Sequence, residues 1–137
     1  MEVINSSSNY DDSGKFILRF TVGFLMLFHG ISKLTHGVSG IEGMFANAGL
    51  PSFIGYGAYL GELVAPIMLI IGFKVRIAAL LIIATMIGAI GLAHPNDLLA
   101  LTKQGAWAVE LQMFYLLTAL AILFQGAGKY SLDYKRK

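Results

Sequence analysis

The sequence predicts an all-α fold: four helices crossing a membrane as a bundle, with both ends of the chain on the cytoplasmic side. Three observations predict it. The 137 residues are 56% hydrophobic and only 13% charged, where a soluble domain carries about 25% charged residues. Four apolar stretches approach the ~20 residues that a bilayer-crossing helix needs, and Gly-, Pro- or charge-bearing breaks separate them. The basic residues are also lopsided. With four spans and cytoplasmic termini, Lys15, Arg19, Lys74, Arg76, Lys129, Lys135, Arg136 and Lys137 fall inside, and only Lys33 and Lys103 outside. That satisfies the positive-inside rule and places the chain in the inner membrane, N-in and C-in.

The elements follow in order. Residues 1–14 are rich in Ser, Asn and Asp and read as a flexible cytoplasmic tail without the basic start of a cleavable signal peptide. The membrane domain occupies 15–133, and its first span is 15–34. A turn-rich stretch leads to 41–48, where Ile41, Met44, Phe45 and Ala48 have the spacing of a short interfacial helix that Pro51 ends. The second span, 53–73, carries Glu62 near its middle and Pro66 one turn later, so a kink is expected beside the carboxylate. Lys74-Val75-Arg76 makes a tight basic turn. The third span, 77–93, has Thr85 as its one polar side chain, and Gly88 and Gly91 are expected to admit a neighbouring helix closely. His94-Pro95-Asn96-Asp97 breaks the chain, and the fourth span runs over 107–124 with Trp107 as its interfacial anchor. Residues 134–137 form a basic tail.

Composition removes several kinds of chemistry. Without cysteine there is no disulfide, thiol redox step or thiolate metal site. A net charge of +2 carries no nucleic-acid signature. His29, His36 and His94 share the outer side, but two of them read as loop residues, so no metal or haem site is expected.

The ionisable residues of the spans are the candidates for function, because an uncompensated charge in hydrocarbon costs roughly 2.5–3.5 kcal/mol even on insertion scales. At a rise of about 1.5 Å per residue, Arg19 lies within roughly 6 Å of the inner boundary and His29 roughly 21 Å up. Lys33 stands one turn above His29 on the same face, Glu62 slightly deeper than His29, and Glu110 near Lys33 in height. Depth therefore groups His29, Lys33, Glu62 and Glu110 in the outer half and favours the pairs His29–Glu62 and Lys33–Glu110. Each has an ordinary alternative. Arg19 and Lys33 can snorkel to opposite headgroup layers, and Glu110 can sit at the positive end of its helix. Glu62 is too central for that and needs a cation or a proton. Gln112, Tyr115 and Thr118 either line a polar pocket that holds a ligand or serve as interhelical hydrogen-bond residues. Arg19, Pro66, Arg76, Trp107 and Lys129 read as anchors and structural residues.

Three stretches resemble the DoxX family of small four-helix membrane proteins. They are Arg19-Phe-Thr-Val-Gly23 leading to Phe28-His29-Gly30-Ile31-Ser32-Lys33-Leu34, then Gly61-Glu62-Leu63 with Gly72-Phe73-Lys74-Val75-Arg76, then Glu110-Leu111 with Gly126-Ala127-Gly128-Lys129-Tyr130-Ser131-Leu132-Asp133. The last is close to the family's usual Gly-Pro-Gly-Arg-Tyr-Ser-Leu-Asp ending, with Ala127 and Lys129 replacing the proline and the arginine. Members are often labelled oxidoreductases, and some are tied to quinone or catechol handling. The resemblance thus implies a membrane redox component that works on or with a quinone-like molecule. It would need a bound cofactor or a redox partner protein, because the chain has no redox group of its own. The alternative is a non-catalytic membrane subunit or a small-molecule or proton-coupled permeation protein, in which the same charges fix helix register. A homo-oligomer in the lipid bilayer is compatible with either.

Overall fold

The structure is a computed structural model that describes residues 2–37, 42–43, 46–51, 56–57, 59–93 and 96–134. Among these the chain is helical, with a single isolated antiparallel bridge between Leu101 and Trp107. Helix α1 spans Glu2–His36. Helix α2 spans Leu60–Ile71 and opens with a π-helical turn over Leu60–Val64. Helices α3 and α4 span Val75–Ala93 and Glu110–Gln125.

The four form a closed ring. Each of α1, α2, α3 and α4 packs on its neighbours in chain order, α4 returns to α1, and the backbones of the diagonal pairs α1/α3 and α2/α4 stay apart among the described residues. The centre is filled by Val22, Met26, Leu69, Ala78, Ala79, Ile82, Met86, Tyr115, Ala119 and Ile122. Small residues recur where helices come close. A Cβ on Gly23 would stand 2.7 Å from the Pro66 carbonyl oxygen, and on Gly30 or Gly61 it would collide with the Glu62 backbone or the Thr85 side chain. Gly88 and Gly91, expected to serve this purpose, face open space. Close approach through glycine therefore belongs to α1–α2 and α2–α3, while α3 packs on α4 through Ala78, Ala79, Ile82, Ala119 and Ile122.

The outside is apolar. Phe16, Phe20, Phe24 and Phe28 form a ladder of ring contacts up one exposed face of α1, and Ile77, Leu80 and Ile87 are exposed along α3. Tyr10–His36 and Val75–Leu92 are long and apolar enough to cross a membrane, whereas Leu60–Ile71 and Glu110–Gln125 are shorter.

Several boundaries differ from expectation. The polar residues expected as a tail continue α1 back to Glu2. The first described tie of this stretch is Asp12, whose Oδ1 accepts the Lys129 amide at 3.1 Å. The anticipated 41–48 helix is described only at 42–43 and 46–48: helical at 42–43 and 46–47, and in a turn at 48. Residues 53–55 and 58 of the second span, His94 and Pro95, and residues 135–137 of the basic tail lie outside the described residues. The fourth helix begins at Glu110 because residues 100–108 fold back instead: Thr102 N–H donates to Ala106 O, Ala108 N–H to Ala100 O, and Gly105 takes φ +84°. Trp107 sits in this turn, its indole N–H donating to Leu98 O at 2.6 Å.

Candidate functional site

The two ends of the bundle collect different polar groups. At the end holding the α2–α3 turn, Arg19 is completely buried. Its Nη1 donates to Leu69 O at 2.7 Å, its Nη2 donates to Tyr130 O, and Phe16 lies against the guanidinium. Leu69 is in the last turn of α2, where carbonyls lack helical partners and the dipole favours a cation. The expectation that Arg19 snorkels to headgroups is corrected. The helical face that carries it also carries Val22, Gly23 and Met26, all buried, so its side chain points into the bundle.

Around it the chain ends dock. Asp133 accepts the Lys74 and Val75 amides at 2.7 and 2.8 Å and so caps the start of α3. Its own amide donates to Gly72 O at 2.9 Å. Arg76 Nε donates to Leu123 O at 3.1 Å, closing the end of α4. Lys129 takes part through its backbone amide on Asp12. Gly72 holds φ +76° to end α2, and a Cβ there would meet Ser131 and Arg19.

At the other end Lys33 of α1 forms an ion pair with Glu62 of α2. Glu62 is 7% exposed, and the Lys33 side chain retains 23% of its surface. The pair is positioned from both sides. Gly30, one turn before Lys33, lets α1 approach the Glu62 backbone. Pro66 has no N–H to give the Glu62 carbonyl four residues earlier, and the turn before it opens to π geometry. The expected kink at Pro66 is thus expressed as a widened turn. Tyr59 Oη donates to Lys33 O at 3.1 Å, and Thr85 packs on Gly61 while bonding its own Leu81 O.

The remaining candidates divide. His29 is exposed beside this pair rather than bonded to Glu62, with its ring 6.1 Å from the buried Tyr115 ring in an edge-on arrangement. Glu110 is exposed in the first turn of α4 and makes no ion pair among the described residues, so the Lys33–Glu110 pairing is replaced by Lys33–Glu62. Thr118 donates to Phe114 O of its own helix at 2.6 Å, and Gln112 is half-buried one turn before Tyr115. Among the described residues no three His, Asp or Glu side chains are grouped to hold a metal ion. Reading by depth alone missed the burial of Arg19 and the contacts made by Tyr59, Thr85 and Asp133. The first could have been found from the Arg19/Gly23/Met26/Gly30 periodicity along one face of α1.

Arg19, Gly30, Lys33, Glu62, Gly72, Lys74, Arg76 and Asp133 at the two ends all belong to the stretches that resemble the DoxX family, and comparison with known proteins agrees. The DoxX family model matches residues 14–95. The chain belongs to the DoxX family. It is 30% identical over 120 residues to a protein of Bacillus subtilis named "Putative oxidoreductase CatD", covering 88% of this chain and 84% of that one. It is 28% identical over 127 residues to "Uncharacterized membrane protein Rv3486" of Mycobacterium tuberculosis, covering 85% of this chain and 77% of that one. No solved structure matches it. Family and exterior together make this DoxX protein a membrane protein.

Proposed function

We propose that this DoxX protein crosses the cytoplasmic (inner) membrane four times, with both termini inside, as the membrane component of a redox system acting on or with quinone-like molecules. The observation that carries the reading is the Lys33–Glu62 pair on its π-helical turn. Such turns often accompany functional sites. An ammonium with one open flank, tied to a nearly buried carboxylate, can hydrogen-bond a ligand carbonyl and give up or recover a proton. Reduction of a quinone to a hydroquinone takes two electrons and two protons. In this reading Lys33 and Glu62 relay the protons, His29 and Tyr115 flank the ring, and a partner oxidoreductase supplies the electrons. The name borne by the Bacillus subtilis relative supports the same assignment.

Glu62→Gln keeps the shape of the side chain but cannot carry the proton. It is expected to lower quinone turnover in membranes about 100-fold or more, while quinone binding by the purified protein, read by calorimetry, changes little. If the purified protein binds no quinone and membranes lacking it reduce quinones at the normal rate, the redox reading falls. A second reading has its own observation, the contact of Gly30 with the Glu62 backbone. This makes the pair a clasp between α1 and α2 in a non-catalytic subunit or permeation protein. There, Glu62→Gln would weaken partner assembly or transport and leave quinone turnover untouched.

A further inference from the structure

A groove of about 710 Å³ opens at the Arg19 end between α1, the start of α3 and the segment after α4. Its cations are Lys15, Lys74 and Arg76, and its carboxylates are Asp12 and Asp133. Both carboxylates are committed to backbone amides. Asp133 holds Lys74 N and Val75 N, and Asp12 holds Lys129 N. Arg76 is held by one bond from Nε to Leu123 O, and it lies across Gly126, where an added Cβ would stand 3.2 Å from Nη2. None of the three cations has a carboxylate within ion-pair distance among the described residues.

From this groove an apolar track leads away along α3. Phe73, Ile77, Leu80 and Ile87 are all exposed, the last three at helical spacing on one face. A cationic recess that continues into an exposed apolar track matches one kind of ligand, an amphiphile with an anionic head.

We propose that this groove binds the phosphate of an anionic phospholipid, with Lys15, Lys74 and Arg76 around the headgroup and an acyl chain along Ile77, Leu80 and Ile87. The site rests on the membrane placement given above and not on the redox assignment. Juxtamembrane cations each attract anionic lipid. The carboxylates, engaged by amides, set the shape of the recess and hold the turn that presents Lys74. Lys74 itself has φ +46°, a left-handed conformation that Asn tolerates well.

The test uses the full-length protein in nanodiscs of equal phosphatidylcholine and phosphatidylglycerol, with retained lipid counted by native mass spectrometry after release. Wild type is expected to retain phosphatidylglycerol preferentially. Lys15→Gln with Lys74→Asn is expected to lower that preference about 5-fold for each lysine removed, at unchanged helix content. Quinone binding at the Lys33 end should be the same in both proteins, so loss of lipid preference alone separates this site from the redox reading. Equal retention of the two lipids by wild type, or an unchanged preference in the double variant, overturns the proposal. Displacement of the lipid by millimolar inorganic phosphate would also overturn it, by showing a soluble-anion site. Failure of the wild-type protein to float with the bilayer would overturn the membrane placement itself.

Discussion

Helix α1 brings a cation to α2 twice, and the two meetings differ. Arg19 is fully buried, is held by the carbonyls of Leu69 and Tyr130, and lies at the end of one helix dipole. Lys33 keeps part of its surface open and faces a carboxylate on a widened turn. A guanidinium stays protonated at any relevant pH and its planar fork suits fixed acceptors, whereas an ammonium and a carboxylate can trade a proton. The difference separates a structural centre from a chemical one, although both residues are cations on the same helix.

Four substitutions can break or sharpen that contrast. Arg19→Met should have the largest effect, because it leaves the buried Leu69 carbonyl and the part-buried Tyr130 carbonyl without their donor. A loss of about 3–5 kcal/mol is expected, read as a large drop in thermal midpoint of the purified protein. Gly30→Ala comes next. The new methyl meets the Glu62 backbone, which cannot swing aside as a side chain can, so about 1–3 kcal/mol should be lost and Lys33 displaced from its partner. Glu62→Gln should cost less in stability, about 1–2 kcal/mol, because Lys33 can turn its ammonium to the open side. If thermal unfolding shows Glu62→Gln to be as damaging as Arg19→Met, the contrast between the ends is lost. Gly88→Ala should be smallest and of opposite sign. With nothing near its Cβ position, replacing a helical glycine should raise stability by up to about 1 kcal/mol, visible as a slightly higher midpoint.

The four helices were legible because apolar run length and turn residues are local properties. So was the need of Glu62 for a cation or a proton, since burial of a carboxylate in an apolar helix allows few alternatives. The choice of Lys33 over His29 was not legible from depth. Depth orders residues along the membrane normal, while pairing also depends on where each side chain points around its helix. His29 and Lys33 differ by one turn in height, yet only Lys33 follows the face of Gly23, Met26 and Gly30 into α2. The same blindness turned Arg19 outward. It also favoured Gly88 and Gly91 over Gly30 and Gly61, because a glycine reports that close approach is allowed, not that a neighbour has come. The C-terminal octapeptide was quoted as a signature, but its use as the cap of α3 through Asp133 required the fold.

The bond from Arg19 to Tyr130 O joins residues 111 positions apart, and this imposes an order on assembly. During synthesis α1 emerges first, and its guanidinium can find Leu69 only after α2 has been made. The second acceptor appears after all four helices have left the ribosome. Until then the arginine has only the Leu69 carbonyl of its two acceptors. The segment around Tyr130 therefore acts as a latch that closes on the first helix, and a chain stopped before it would leave Nη2 of Arg19 without that acceptor.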